Sequence, residues 1–550
     1  MKNNKSFFVG MLIVLLIEII FFRSYLCTDV LFGDTGDGLL NNLIVEHWYR
    51  AFRGIESIST LNIFYPTSNT ISYTDMLFGL ALPYSFLRLL GINMFLANKL
   101  VLVGVHAFGA LTYFYLLNKR FALSLPASII GCVLVFSASN FYAKVLHTQF
   151  FVMGFVPLLL LLLSIYYDKL KILSKQRFLF GVCSVLNLVF ILYSSWYVGF
   201  FFCLFSFIFI LTFVIIEILH SNFKELKMLL LNNVKEVMVY FSLAVITLIP
   251  FLKAYLLTAK LTGKWDWNAV KPMLPSIYDF INVSGNNLLY GNIFSKSFFT
   301  SRVLSGELWL GFPIVTLIVF FIASYYYIKR LRQKEQLLSL VCITILISFL
   351  LLVKIGNISL WYLVFKLIPG GAAIRAASRY MFFLSFPISF IIANFYDSLM
   401  TKIDIDRYKL QCLCIGIIVP YFFLLENMHN TSYVNNNNNS WTISKQQDYI
   451  SKIRVPNNNL PFYITNSKPK EHTEANYEYQ LHSWLIANKY NLKTINGYSG
   501  KFPPGWSLYD INDKQYQSRV DDWMMRNNIS ILQRYDIATN RWNNQAVHQN

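Results

Sequence analysis

Charge is scarce in this sequence. Only 14% of its 550 residues are Asp, Glu, Lys or Arg, whereas a soluble globular protein carries roughly 25%. Hydrophobic residues make up 55% of the chain and aromatic residues 17%, and long apolar runs recur throughout. About 20 such residues span the hydrocarbon core of a bilayer as a helix. Because every backbone polar group in lipid must bond internally, the sequence predicts an all-α polytopic membrane protein.

The cysteine pattern does not predict a disulfide framework either. The seven cysteines lie in or beside apolar runs, none lies beyond Cys414, and no CxxC pair occurs. This pattern indicates neither a disulfide scaffold nor a metal or redox site. The net charge of +19 does not predict a nucleic-acid partner, because the Lys and Arg residues cluster in short loops between apolar runs, as the positive-inside rule requires. Anionic membrane lipids explain that charge.

The apolar runs predict about eleven transmembrane helices. The first is about 20 residues long, which exceeds the roughly 7–15 residues of a signal-peptide core and favours an uncleaved signal anchor. With the N-terminus in the cytoplasm, eleven spans leave every strongly basic loop on the cytoplasmic side. The candidate spans are 7–27, 95–117, 123–141, 149–167, 178–195, 197–219, 237–257, 309–328, 336–353, 376–396 and 409–426.

Because successive spans alternate in direction, the same eleven-span arrangement leaves three long segments outside the cytoplasm. They are 28–94, 258–308 and everything after about 427. Within the first of them, the stretch 76–90 is short and contains Pro83, so it is expected to be interfacial or re-entrant. Because loops presented by a rigid scaffold commonly carry function, the site is expected on this outer side.

Three units follow from this division. A transmembrane module over 1–427 carries the outer loops 28–94 and 258–308. A linker over 428–445 contains the low-complexity stretch NNNNNSW. The polar residues 446–550 are numerous enough for a small extracytoplasmic C-terminal domain.

Carboxylates crowd the first outer segment. Asp34 and Asp37 lie in GDTGDG, whose glycines allow a tight backbone, and Glu46 and His47 follow some two helical turns later. Such carboxylates act as a general base or hold a divalent ion. The structural alternative is a polar turn in which Asp37 caps the next helix. The pattern lacks the alternating ligands of an EF-hand and the terminal Lys of a P-loop.

Basic residues on the same side provide partners for a phosphate. They are Lys144 and His147 in FYAKVLHTQFF, Lys354, and Arg375 and Arg379 in PGGAAIRAASRY. Arginine suits phosphate because its planar fork binds two oxygens. The alternative for each is an interfacial side chain that extends its charge into water.

Aromatic residues on the outer side are candidates to stack on sugar rings. They are Trp265 and Trp267 in KWDWN, Trp309, and Tyr498 with Trp506 in NGYSGKFPPGW. The alternative is an interfacial aromatic belt, which accounts for most Trp and Tyr in membrane proteins.

Taken in order, these motifs resemble the GT-C superfamily of membrane glycosyltransferases, in particular its bacterial members. The resemblance covers most of the chain and depends on the order of loose motifs. They are GDTGDG…EHW, NIFYPTSNTISYTDMLFG (62–79), HTQFFVMGFVPLLLL (147–161), SGELWLGFP (305–313), PGGAAIRAASRYMF (369–382) and NGYSG (496–500). The architecture with a polar C-terminal domain also resembles the serotype-converting glucosyltransferases that modify O-antigen.

The resemblance implies an activity. A polyprenyl-phosphate-linked sugar would be transferred, with inversion, to a cell-envelope glycan such as O-antigen or lipopolysaccharide, on the periplasmic face of the bacterial inner membrane. The catalytic base would be Asp37 or Asp34, and we favour Asp37. The donor phosphate would be bound by Arg375, Arg379 and Lys354. Candidate substrate-binding residues are Glu46, His47, His147, Gln149, Glu307, Trp265, Asp266 and Tyr498.

Other functions stay open at this point. A transporter or flippase would use charged residues in mid-membrane and internal repeats, and we find few such charges and no repeat. A non-catalytic assembly protein for envelope polysaccharide would depend on its C-terminal domain. An O-acyltransferase would be expected to have a prominent buried histidine. No cofactor is predicted with certainty, and dependence on a divalent cation is left open because superfamily members differ.

Overall fold

The chain folds mainly into helices. A computed structural model describes residues 2–169, 175–219, 223–301, 305–331, 336–403, 407–430, 442–456 and 458–546. Within these ranges, eight helices are long and apolar enough to cross a membrane: Met94–Arg120, Leu125–Ala143, Thr148–Asp168, Lys175–Ser194, Trp196–Leu219, Asn233–Thr262, Arg379–Met400 and Leu410–Asn427. The sequence predicts an all-α polytopic membrane protein, and the structure supports the coarser statement that the chain is mostly helical with eight candidate membrane spans.

The α-helices can be given in chain order. They are Lys2–Phe21, Arg23–Leu26, Asp37–Phe52, Phe78–Leu89, Met94–Tyr115, Leu125–Phe136, Ser139–Ala143, Val156–Asp168, Lys175–Ser194, Trp196–Leu219, Phe223–Thr262, Trp267–Val270, Gly291–Phe294, Ser297–Thr300, Ile314–Ile328, Gln336–Leu352, Trp361–Leu367, Arg379–Met400, Lys409–Asn427, Ile443–Lys452, Asn476–Tyr490 and Tyr516–Arg526. Short 3-10 helices are Thr70–Tyr73, Thr148–Phe155, Lys271–Met273, Ile277–Ile281, Ser305–Leu308 and Gly371–Ala373, and Leu116–Arg120 is a π-helical turn.

In the described ranges, eight helices are long and apolar enough to cross a membrane, whereas the sequence predicts eleven spans. The span predicted at 7–27 is the helix Lys2–Phe21 followed by the short Arg23–Leu26. The helices Ile314–Ile328 and Gln336–Leu352 have 15 and 17 residues. At about 1.5 Å per residue they cover roughly 22–26 Å, somewhat less than a hydrocarbon core of about 30 Å. The stretch predicted to be interfacial is the 12-residue helix Phe78–Leu89.

Polar links at one end of the helical bundle break its helices and shape the candidate site. Ser139–Ala143 ends at Lys144, whose N–H donates to the carbonyl of Phe141 at 3.0 Å. The N–H of His147 then donates to the carbonyl of Lys144 at 2.9 Å. The 3-10 helix Thr148–Phe155 follows directly and leads into the next span. The chain therefore reverses within four residues, which brings Lys144 and His147 together at the helix ends.

Two glycines set the packing behind this turn. A Cβ on Gly109 would lie 2.6 Å from the Cα of Gly154, and a Cβ on Gly154 would lie 2.3 Å from the carbonyl oxygen of Val105. The helices Met94–Tyr115 and Thr148–Phe155 can approach this closely only because both residues lack a side chain, as is common between membrane helices.

The C-terminal residues contain a small sheet. Strand β3 (Phe462–Thr465) pairs in parallel with β4 (Ile531–Asp536), and β4 pairs antiparallel with β5 (Arg541–Ala546). The strands β1 (Lys354–Ile355) and β2 (Ile358–Ser359) form a separate two-stranded hairpin. The helices Asn476–Tyr490 and Tyr516–Arg526 lie between β3 and β4 in sequence, so the parallel pairing is made across a long helical crossover.

These C-terminal residues pack directly on the rest of the chain. Backbone N–H groups of Phe64 and Tyr65 donate to the carbonyls of Asn496 and Thr494 at 3.0 and 2.9 Å. The indole of Trp523 donates to the carbonyl of Tyr65 at 2.9 Å. In the predicted linker 428–445, residues 431–441 lie outside the described residues and Ile443 already begins a helix. The domain boundaries stay a prediction.

Candidate functional site

The acidic loop begins with a turn that Asp34 closes. Gly33 has a φ of +91°, and a Cβ there would lie 2.7 Å from the Cα of Gly38, so the position requires glycine. Asp34 Oδ1 accepts hydrogen bonds from the N–H groups of Gly36 at 3.1 Å and Gly38 at 2.8 Å. The capping role that the structural alternative gave to Asp37 therefore belongs to Asp34.

Asp37 is the first residue of the helix Asp37–Phe52 and makes a different contact. Its Oδ2 lies 2.9 Å from Nδ1 of His147, and 34% of its side chain is exposed. Burial acts to raise the pKa of Asp37, but the hydrogen bond and charge of His147 and the charge of Arg379 lower it below its usual value. Burial raises the pKa of Asp34 instead, against the hydrogen bond from Gly38. Asp37 is thus the more readily ionised of the two.

Glu307 lies on the other side of His147 and contacts three side chains. Its Oε1 is 3.5 Å from Nε2 of His147 and 3.2 Å from Nζ of Lys144. Arg379 donates to both carboxylate oxygens, each at 3.0 Å, in the two-bond arrangement that arginine favours with a carboxylate. Asp37, His147 and Glu307 therefore form a continuous chain of contacts that ends on two cations.

The charges in this cluster shift one another's pKa values. Burial opposes ionisation of Glu307, but Arg379, His147 and Lys144 hold the pKa of Glu307 well below its usual range. Burial lowers the pKa of Lys144 to about 8, although Glu307 acts to raise it. Buried charges persist only when they are paired, and this pairing explains why a lysine and an arginine are tolerated here.

Two aromatic rings contact the guanidinium group of Arg379. The guanidinium carbon of Arg379 lies 5.2 Å from the ring centres of both Phe150 and Tyr197, within the range of a cation–π contact. The hydroxyl of Tyr197 accepts hydrogen bonds from the backbone N–H groups of Arg375 and Ala376, each at 3.2 Å. Tyr197 therefore holds the loop from which Arg379 enters the cluster.

Arg375 takes a different position from Arg379. Its side chain is exposed, and its guanidinium carbon lies 4.9 Å from the ring centre of Trp265. The Nζ of Lys501 lies 3.9 Å from the same ring. Two residues predicted separately, one for phosphate and one for sugar, are thus neighbours, and a C-terminal lysine joins them.

C-terminal side chains also reach the acidic loop. The hydroxyl of Thr35 donates to Glu478 at 2.6 Å, and a Cβ on Gly36 would lie 3.3 Å from the ring of Tyr477. Burial raises the pKa of Tyr498, and the negative charges of Asp37 and Asp34 add to this effect. The ring centre of Tyr498, which the sequence predicts to bind substrate, lies 6.1 Å from that of Tyr477.

Several other predicted site residues have structural partners elsewhere. Glu46 accepts from Tyr84 at 2.6 Å and from Arg88 at 2.9 Å. His47 Nδ1 lies 2.6 Å from Glu56. These contacts pack the helix Asp37–Phe52 against its neighbours and use the polar atoms of both residues.

The remaining predicted residues are also engaged. Gln149 accepts from Asn41 at 2.8 Å, Lys354 donates to the carbonyl of Lys271 at 3.3 Å, and Asp266 accepts from the N–H of Asn268 at 2.7 Å. Among the aromatic candidates, the ring centre of Trp267 lies 5.1 Å from that of Tyr362, and the ring centre of Trp506 lies 5.0 Å from that of Phe502. The buried indole N–H of Trp309 has no hydrogen-bond partner in the described ranges.

Two residues near the cluster were not singled out from the sequence. Asp75 accepts from the N–H of Trp196 at 3.0 Å and the hydroxyl of Ser195 at 3.3 Å, at the start of a long helix. Burial raises the pKa of Asp75 to about 6, while these hydrogen bonds and Arg379 act to lower it. Asp75 lies within the quoted motif YTDMLFG and Lys501 within the quoted stretch NGYSGKFPPGW, but neither residue was assigned a role from the sequence.

The described residues do not contain a group of three or more His, Cys, Asp and Glu side chains arranged to hold a metal ion.

Comparisons with known proteins give a fold likeness only. No family model matches the chain, and no curated protein matches it. Among solved structures, the Archaeoglobus fulgidus oligosaccharyltransferase in complex with zinc and sulfate is 12% identical, with a TM-score of 0.47 over 96% of this chain and 67% of that one. The archaeal oligosaccharyltransferase AglB from the same organism, in complex with an inhibitory peptide and a dolichol-phosphate, is 12% identical, with a TM-score of 0.46 over 96% and 69%. At these TM-scores the likeness carries no argument about activity.

Proposed function

We propose that this protein is a membrane glycosyltransferase that moves a sugar from a polyprenyl-phosphate-linked donor to a hydroxyl group of a cell-envelope glycan. The observation that carries this proposal is the chain of contacts Asp37–His147–Glu307, with Lys144 and Arg379 at its far end. It puts an ionised, partly exposed carboxylate at the end of a membrane-spanning bundle, close to buried cations.

Asp37 is the base in this mechanism. Its Oδ2 accepts a hydrogen bond from His147, and its Oδ1 has no hydrogen-bond partner among the described residues, so Oδ1 is free to face an acceptor hydroxyl. As the acceptor oxygen bonds to the anomeric carbon, its proton passes to Asp37, and the phosphate departs with the electron pair of the broken C–O bond. Attack from the side opposite the phosphate inverts the anomeric configuration.

His147 positions the base rather than reacting. Its two ring nitrogens face Asp37 and Glu307, so both can donate when the ring is protonated. The contact with His147 lowers the pKa of Asp37 and aims its carboxylate before the acceptor arrives. Preorganised charge of this kind is commonly the largest contribution to enzymatic rate enhancement.

Arg375 is the cation that we assign to the departing phosphate. Both Arg379 and Lys144 are bonded to Glu307, whereas the guanidinium of Arg375 is exposed and has no carboxylate partner within the described ranges. Its fork can bind two phosphate oxygens at once. Arg379 already donates from two of its nitrogens to Glu307, which partly neutralises its charge.

The location and acceptor complete the proposal. Basic loops at the opposite helix ends favour an orientation with the site on the periplasmic face of a bacterial inner membrane. An O-antigen or lipopolysaccharide acceptor would suit that location. Contacts of Tyr477 and Glu478 with the acidic loop support an enzyme over an assembly protein with a separate C-terminal module, and we keep a transporter as the alternative.

The test is genetic and chemical. A strain without the gene is complemented with the wild-type chain, Asp37→Asn, or the control Asp448→Asn, which changes an exposed aspartate paired with Lys452. Mass spectrometry of the envelope glycans should show a missing sugar substituent in the deletion strain and the Asp37→Asn strain, restored by the wild type and the control. An unchanged glycan with accumulated lipid-linked sugar in the deletion strain would point to transport instead.

A further inference from the structure

Two cations share one indole ring at the edge of the candidate site. The guanidinium carbon of Arg375 lies 4.9 Å, and the Nζ of Lys501 lies 3.9 Å, from the ring centre of Trp265. These residues come from three segments that are far apart in sequence. The arrangement is therefore a product of the fold and not of local composition.

The two charges are not neutralised by protein. Neither Arg375 nor Lys501 has a carboxylate partner within the described ranges, in contrast to Lys144 and Arg379, which share Glu307. Burial lowers the pKa of Lys501, and the charge of Arg375 lowers it further. Like charges repel each other, and an anion bound by both cations would offset that repulsion.

The cations are held in place with donors to spare. Lys501 Nζ donates to the carbonyl of Gly263 at 3.3 Å, which leaves two of its three N–H bonds for a ligand. The backbone N–H of Arg375 is fixed by the hydroxyl of Tyr197 at 3.2 Å, and the side-chain fork remains exposed. Such a pair of fixed cations over an aromatic surface has the donors that phosphate groups require.

We propose that Lys501, Arg375 and Trp265 form one binding site for the diphosphate of a polyprenyl-diphosphate-linked donor, and that the C-terminal segment completes this site through Lys501. The inference rests on the proposed glycosyltransferase function and narrows its donor class. A sugar–diphosphate–lipid diester carries two negative charges and matches the two cations, whereas a sugar–monophosphate–lipid diester carries one. The sugar lies towards Asp37, and the lipid chain extends into the membrane.

Binding to the purified full-length chain tests the proposal directly. The probes are farnesyl diphosphate and farnesyl monophosphate, which are shortened forms of the two possible leaving groups, together with free pyrophosphate. We expect the wild type to bind farnesyl diphosphate about 10-fold or more tightly than the monophosphate, which corresponds to at least one additional charged contact. Equal binding of the two lipids would overturn the diphosphate assignment. Equally tight binding of free pyrophosphate would overturn the assignment to a lipid donor.

Substitutions at Lys501 and Arg375 test whether these side chains bind the diphosphate. Lys501→Met and Arg375→Met should each abolish the preference for diphosphate, and Lys501→Arg should keep it, which shows that the loss is not one of folding. The matched control is Lys493→Met, because Lys493 is an exposed lysine 5.6 Å from the ring of Tyr65 with no second cation on that ring. An unchanged preference in Lys501→Met would overturn the proposal.

The same experiment separates this inference from the proposed function. Asp37→Asn should bind farnesyl diphosphate as the wild type does but fail to restore the envelope glycan. If Asp37→Asn restores the glycan, the catalytic proposal fails while the binding result stands. If Asp37→Asn fails to restore it and Lys501→Met restores it fully, the anion site proposed here is wrong and the catalytic proposal stands.

Discussion

The Nδ1 atom of His147 lies 2.9 Å from the Oδ2 atom of Asp37. Asp37 begins a helix after the first predicted span, whereas His147 lies in a four-residue turn between two later helices. Their contact joins two chain segments that are 110 residues apart. It also orients the carboxylate that we assign as the base, and the first prediction follows from this contact.

Replacing His147 with glutamine should shift the acidic limb of the pH–rate profile. His147 lowers the pKa of Asp37, so its loss lets that pKa rise, and activity that needs the ionised carboxylate should then disappear at a higher pH than in the wild type. The measurement is transfer rate against pH. The control His472→Gln changes an exposed histidine and should leave the limb in place, and an unshifted limb in His147→Gln would remove His147 from the mechanism.

Glu307→Gln should destabilise the fold. The substitution leaves the buried Lys144 and Arg379 without their shared carboxylate, and breaking a buried ion pair in this way costs about 3–5 kcal/mol. Thermal unfolding of the purified chain measures the loss. Glu471→Gln, which affects an exposed pair with Lys468, should leave the unfolding temperature unchanged, and an equally small effect of Glu307→Gln would contradict the assigned role.

Acid should destabilise the wild type through the same residue. The pKa of Glu307 is lowered on folding, so its stabilising contribution is present above its unfolded pKa of about 4.3 and is lost progressively as the pH falls below it. The free energy of unfolding should therefore fall more steeply below that pH in the wild type than in Glu307→Gln. Identical slopes for the two proteins would argue against the ion-pair network.

Lys144→Arg should extend activity to higher pH. Burial lowers the pKa of Lys144 to about 8, so its positive charge beside Glu307 is present below that pH and is lost above it. If the cluster needs this charge, wild-type activity falls above about pH 8. An arginine stays protonated, so the alkaline limb of the pH–activity profile should shift to higher pH in Lys144→Arg. A limb that is the same in both proteins would show that Lys144 is not the titrating group.

Much of this site could be predicted from the sequence, and the failures have a physical cause. Asp37, His147, Glu307 and Arg379 were all predicted, and the structure brings them together. Glu46 was predicted with them but follows Asp37 by nine positions on the same helix, which is roughly two and a half turns at about 3.6 residues per turn. It therefore faces the opposite side of the helix and pairs with Arg88.

Other parts depend on long-range packing. The capping role of Asp34 depends on the backbone of Gly36 and Gly38 folding back on it, whereas the sequence pattern assigned the capping alternative to Asp37. Lys501 meets Trp265 only because the C-terminal residues pack beside Gly263. No periodicity or motif records such a contact. The mostly helical character of the chain, in contrast, follows from apolar run length alone, whereas the sheet formed by β3, β4 and β5 does not.

Transfer by the purified protein tests the central claim most directly. Purified wild-type chain and Asp37→Asn are added to membranes of the deletion strain whose lipid-linked sugars carry a radioactive label, and the label that moves into polymeric glycan is counted. General-base catalysis contributes about 10²–10⁴-fold, so the wild type should transfer label and Asp37→Asn should be slower by at least about 100-fold. Transfer by Asp37→Asn at the wild-type rate would contradict the account.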